Sequence, residues 1–271
     1  MLNKIVAFAN QKGGVGKTTS SVNFSAALVA LHYRVLLVDL DPQGNATVGS
    51  GVNKETITAG VNEVLQEQID IEKAIISKTE AGYALLPANG DLTVAEVALL
   101  RKPAQESNLK KALNSVRENY DIIVIDCPPS LNMLTLNAFV ATDSVIIPLQ
   151  CEFYALEGLS ALMNTIDQVQ RTLNPSLVIE GIVRTMYDPR NRLSTEISAQ
   201  LIVHFGTKIY QTVIPRNIRL AEAPSHGVSI FLYDRNSRGA DAYMALAREF
   251  LKYHKKMPLL EAVDAVGLIE N

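Results

Sequence analysis

The sequence predicts an α/β fold: a twisted, mostly parallel β-sheet flanked by helices on both faces. Three observations carry that expectation. Short β-rich apolar runs alternate with helical patterns along the 271 residues, as βαβ units require. Several runs, such as RVLLVD, DIIVID and SVIIP, are apolar almost end to end, which suits strands buried on both faces. The strongest polar motifs follow such runs, after Ala9, Val38 and Ile125, and ligands of parallel sheets sit at the carboxyl ends of strands.

Taken in order, Lys4–Ala9 reads as the first strand and runs into a glycine-rich turn. Thr18–Leu31 reads as a helix with small residues on much of its surface. Arg34–Asp39, Asp121–Asp126 and Ser144–Pro148 are the continuous apolar strands. Leu177–Val183 and Lys208–Ile214 are further strand candidates. Helical patterns lie near Asn108–Glu118, Leu131–Ala141, Ala155–Leu173, Thr195–His204 and Ala240–Tyr253. The chain shows no repeat, low-complexity tract or obvious linker.

Composition excludes several classes. Hydrophobic residues make up 48% and charged residues 20%, a globular balance rather than a disordered one. Apolar runs are short, Ala26 to Leu31 being typical, whereas a membrane span needs about 20 apolar residues. Four residues precede the apolar run at Ile5, leaving no room for a signal peptide. Cys127 and Cys151 are the only cysteines, so a reducing cytosol is the expected compartment. Net charge is −3, but it is unevenly spread. Glu180 to Lys256 holds twelve Lys/Arg against seven Asp/Glu, or +5, and the remainder is −8. A modest basic face therefore sits on an acidic body.

Gln11-Lys12-Gly13-Gly14-Val15-Gly16-Lys17-Thr18-Thr19 follows the first strand and opens the first helix. Glycines let backbone N–H groups converge on one anion, and the helix N-terminus adds positive charge. Lys17 is placed to reach the β- and γ-phosphates of a nucleotide, and the Thr18 hydroxyl to bind Mg²⁺. The first glycine of the usual phosphate-loop pattern is replaced by Gln11, and an extra lysine, Lys12, stands beside it. Asp39 and Asp41, at i and i+2 on a strand end, face the same side and suit either Mg²⁺ or an attacking water. An acidic turn that merely caps the strand is the plainer alternative. Asp126 ends a buried strand, as a carboxylate that holds Mg²⁺ directly or through water does. Cys127 has no base placed to activate it and reads as a small buried residue.

The run K-G-G-x-G-K-T-T resembles the deviant Walker A motif of the ParA/MinD family of ATPases. The resemblance spans about residues 3 to 254 and includes Asp39–Thr47, Ile125–Ser130, Val213–Gly227 and Ser237–Ala240. It implies a P-loop NTPase domain over residues 1–256 that hydrolyses ATP with Mg²⁺. Gly13, Gly14, Val15, Gly16, Lys17, Thr18 and Thr19 would bind the nucleotide, with Pro215 and Asn217 walling the adenine pocket. Thr18, Asp39 and Asp126 would form or support the metal shell, and Asp41 would orient water. It further implies a homodimer around two ATP molecules. There Lys12 would cross to the partner's phosphates, and Glu152 would touch the partner's nucleotide. A plain acidic helix cap is the alternative for Glu152.

Within that family the segments resemble the ParA/Soj partition ATPases most. This implies nucleoid association in the cytoplasm, non-specific binding of double-stranded DNA by the ATP dimer, and a ParB-like centromere-binding partner that stimulates hydrolysis. Arg190 and Arg219 are the expected DNA contacts, followed by Arg192 and Arg216. The tail, residues 257–271, carries Glu261, Asp264 and Glu270, and anionic lipid would repel it, so no membrane partner is expected. A MinD-like membrane-associated ATPase, or one that positions a protein cargo, is the alternative.

Overall fold

The computed structural model describes residues 2–100 and 104–254. The acidic tail expected over residues 257–271 lies outside the described residues. Among the described residues seven strands form one sheet: β1 (Lys4–Phe8), β2 (Val35–Asp39), β3 (Ala84–Leu86), β4 (Ile122–Asp126), β5 (Ser144–Gln150), β6 (Val178–Tyr187) and β7 (Ile209–Pro215). Their order is β3-β2-β4-β1-β5-β6-β7, and every paired neighbour is parallel.

The helices in chain order are α1 (Lys17–Ala30), α2 (Asn45–Gly49), α3 (Val61–Leu65), α4 (Ile71–Ala74), α5 (Leu92–Leu99) and α6 (Asn108–Val116). They continue as α7 (Met133–Ala141), α8 (Ala155–Thr172), α9 (Arg192–Phe205), α10 (Ile218–Glu222), α11 (Ile230–Tyr233) and α12 (Arg238–Tyr253). No helix among the described residues is long and apolar enough to cross a membrane.

Strand periodicity divides the core into two layers. Ile5, Ala7, Leu36, Val38, Ile123 and Ile125 face one side, packed with α5, α6, α7 and α8. Val6, Phe8, Val35, Leu37, Ile122 and Val124 face the other, against α1 and α12. Successive strand side chains point to opposite faces, so a strand covered on both must be apolar throughout, as β1, β2 and β4 are. Each large apolar side chain buried here contributes about 1.5–3 kcal/mol. Phe24 joins strand to helix edge-on, 5.4 Å from Phe8 and 5.3 Å from Phe250 between ring centres.

The central strand β1 lies between β4 and β5, while β2 lies beyond β4. The chain thus turns one way after β1 and the other way after β4. This switch opens a crevice at the carboxyl ends of β1 and its neighbours. The β6–β7 pairing is irregular. There the buried Arg184 guanidinium donates to the carbonyls of Tyr210 (3.0 Å) and Gln211 (3.1 Å), tying β6 to β7 beside the register shift.

Candidate active site

The loop after β1 is fixed at both ends. The Asn10 amide donates to the Pro148 carbonyl (2.7 Å) and its oxygen accepts from the Lys12 N–H (3.0 Å). The Thr185 hydroxyl of β6 donates to the Val15 carbonyl (2.8 Å). Gly14 and Gly16 have φ of 74° and 88°, a left-handed backbone that side chains with a Cβ resist. Gly16 caps α1 without a side chain, and the helix has no acidic residue in its first turn. The N–H groups and positive end of α1 are therefore left to an external anion.

Lys17 is buried, and its ammonium donates back to the Lys12 carbonyl (3.2 Å). Burial pulls its pKa down, against the pull of Asp126, Cys127 and Asp41. Asp126, fully buried, accepts from the Ser21 hydroxyl through Oδ1 (2.9 Å), and the Thr18 side chain also donates to its carboxyl group. Its Oδ2 is buried with no hydrogen-bond partner. Burial, then the charge of Asp39 beside it, pushes Asp126 up to about 8. Burial pushes Asp39 up to about 6. These two carboxylates are register partners at the ends of β2 and β4. Asp41 lies on the following turn, where its carboxylate accepts from the Gln43 N–H (2.9 Å).

A pocket of about 650 Å³ opens over the loop. Gly13, Gly14, Gly16–Thr19 and Asp41 line one end, and Pro215, Arg216 and Asn217 line the other. Asn217 caps α10, accepting from the Leu220 N–H (3.3 Å), which ties the wall after β7 to the start of that helix. Met186 also lines the pocket and holds φ of 48°, a conformation uncommon for a side chain with a Cβ. Tyr243 of α12 reaches the same space and shares a hydrogen bond with Ser20 (3.1 Å). Lys12 and Glu152 stand outside the pocket lining and form an ion pair with each other within the one chain.

Residues 3–179 match the family described as an AAA domain. Sporulation initiation inhibitor protein Soj of Bacillus subtilis is 51% identical over 248 residues, 92% of this chain and 98% of its own. Chromosome-partitioning ATPase Soj of Thermus thermophilus is 49% identical over 246 residues, 91% of this chain and 94% of its own. The chain belongs to the ParA/Soj family of chromosome-partitioning ATPases. Among solved structures, cobyrinic acid a,c-diamide synthase from Mycobacterium smegmatis, with a bound ATP analog and magnesium, is 38% identical with a TM-score of 0.82. The match covers 94% of this chain and 98% of that one.

In this ParA/Soj member the four arginines singled out from sequence lie past the ends of β6 and β7. Arg190 forms a two-point pair with Asp188 (2.9 and 2.8 Å), Arg192 pairs with Glu196 (2.8 Å), and Arg219 pairs with Glu222 (2.9 Å). Arg216 stands exposed on the pocket rim, its N–H donating to the Tyr187 carbonyl (3.3 Å). Both cysteines are buried, and burial pushes the Cys127 thiol well up and Cys151 up to about 11, consistent with inert packing. Sequence reasoning missed Thr47, Thr185, Met186 and Tyr243. Of these, Thr47 lay inside a quoted motif, while the others carry no local signal.

Proposed function

We propose that this chain binds Mg²⁺-ATP in the pocket over the phosphate loop and hydrolyses it to ADP and phosphate. Nucleotide state then gates a homodimer that binds DNA without sequence preference. One observation carries the reading. The open N-terminus of α1, Asp41 and the Pro215–Asn217 wall line a single pocket, and the buried Asp126 carboxyl lies behind it, bonded to the pocket-lining Thr18.

The donor set fits the metal. An unpartnered carboxylate oxygen on Asp126, near the Thr18 side chain, offers the hard oxygen ligands that Mg²⁺ prefers. Thr18 and Asp126 would hold it, with Asp39 supporting from the adjacent strand end, and bound Mg²⁺ would draw negative charge from the phosphates. The Mycobacterium smegmatis structure, with ATP analog and magnesium, supports both ligands. The backbone N–H groups of Gly13–Thr19 cradle the phosphates and Lys17 adds a fixed charge. Asp41 orients the attacking water. Pro215 and Asn217 bound the base.

Lys12 leaves Glu152 on dimerisation and reaches the partner's phosphates, while Glu152 turns to the partner's nucleotide. Arg190, Arg192, Arg216 and Arg219 then form a doubled basic face. A ParB-like centromere-binding protein accelerates hydrolysis and releases the dimer from the nucleoid in the cytoplasm. The ATPase body runs to residue 256, with 257–271 as an appended tail.

The test is binding to duplex DNA of arbitrary sequence with ATP, ADP or no nucleotide, at two salt concentrations, with phosphate release followed in parallel. Binding only with ATP, falling steeply with salt, is the expected result. An intact ATP dimer that ignores DNA would move the cargo to a protein or a membrane.

A further inference from the structure

The turn that carries Asp41 is anchored by a neighbour that the motif does not advertise. Asp39 is fully buried and accepts three hydrogen bonds. Its Oδ1 takes the Asp41 N–H (3.2 Å), and its Oδ2 takes both the Thr47 N–H and the Thr47 hydroxyl (2.7 Å each). Thr47 is itself fully buried, and its hydroxyl accepts from the Ala88 N–H (3.0 Å) just beyond β3. One hydroxyl thus links the end of β2, the start of α2 and the end of β3. The geometry also explains how α2 is capped. Its N-cap, Gly44, has no side chain to offer, and Asp39 caps it from another element instead.

We propose that Thr47 is a positioning residue for ATP hydrolysis. Its hydroxyl fixes the Asp39 carboxylate, and Asp39 fixes the main chain of Asp41, so that Asp41 meets the phosphate loop in one orientation. A charge-assisted bond from a buried hydroxyl to a carboxylate is strong and directional. Without it, Asp39 keeps two main-chain donors but loses the tie to β3, and the Asp41 turn gains freedom. The inference rests on the reading of Asp41 as the residue that orients water.

The experiment compares Thr47→Val, Thr47→Ser, Asp39→Asn and Asp41→Ala in the full chain. It measures kcat and KM for ATP, affinity for a fluorescent ATP analogue, and thermal midpoint. Thr47→Val keeps the shape and removes the hydroxyl. It should lower kcat about tenfold or more while KM and analogue affinity stay within about twofold, the pattern of an interaction lost only in the reacting state. Thr47→Ser should recover most of the loss, and Asp39→Asn should lower kcat as Val does. Should Thr47→Val fail to fold, Thr47→Ala carries the same comparison, because it removes the same hydroxyl and leaves Asp39 in place. Parent-like kcat in Thr47→Val beside an inactive Asp41→Ala overturns the proposal alone. So does an equal loss in Val and Ser, or a loss of affinity that tracks kcat. An Asp41→Ala that turns over like the parent removes the underlying reading and the proposal with it.

Discussion

Lys17 and Asp126 show how much of this site lies in single buried charges. The Lys17 ammonium lines the pocket, donates to the Lys12 carbonyl of its own loop and is buried enough that desolvation outweighs the pull of the nearby Asp126 and Asp41. Lys17→Ala should therefore remove ATP binding, and titration calorimetry on the folded variant checks it. Asp126 and Asp39 are both held above the ordinary carboxylate range. The folded protein keeps protons that the unfolded chain releases. Stability from this pair is thus fully present below about pH 4 and falls as pH rises toward 8. Asp126→Asn removes the buried charge and should flatten that fall. Denaturation without nucleotide should show the variant gaining on the parent by about 1–3 kcal/mol between pH 5 and 8, while Mg²⁺-dependent turnover collapses. The phosphate loop was legible because its chemistry is contiguous. Tyr243, 223 positions from its partner Ser20, was not, because only the folded chain brings it there.

At the scale of elements, strands β1, β2 and β4 fall within a residue of their sequence-based bounds, since burial on both faces leaves an unbroken apolar run. The three-residue edge strand β3 and the short helices between residues 45 and 99 are too brief for periodicity to register. Strand β6 runs on to Tyr187, past its expected end at Val183, because pairing to β5 continues through Gln150–Thr185. The start of α12 makes a sharper point. A Cβ on Gly239 would lie 2.7 Å from the Leu220 Cγ of α10, so these two helices meet with no room for a methyl group. Gly239→Ala should push α10, and with it the pocket wall, outward. The expected outcome is a KM for ATP raised severalfold with kcat little changed, at about 1–3 kcal/mol of stability. Steady-state kinetics and a melting curve read both.

For the whole molecule, charge distribution was readable in sequence as a +5 stretch, but not its partners. Arg190, Arg192 and Arg219 are engaged in surface ion pairs. Water screens such pairs and weakens them, so under the proposed function a phosphate oxygen would displace the carboxylate with little loss. Arg219→Gln and Arg219→Glu should weaken DNA binding and leave the ATP dimer intact by sedimentation. The slope of log affinity against log salt should become shallower by about 0.9 per lost contact. Lys12→Ala should keep ATP binding and lose dimer formation or turnover; a variant that still dimerises and hydrolyses like the parent removes the role across the interface. Residues 215–219 place Pro215, Arg216 and Asn217 on the pocket wall while Arg219 stands exposed outside it. Under the proposed function, this short run would join the nucleotide pocket to the DNA face. A shift of its inner, pocket side would then move its outer, arginine side as well. Reciprocity then applies: a duplex that clamps the outer side should retard nucleotide exchange on the inner one.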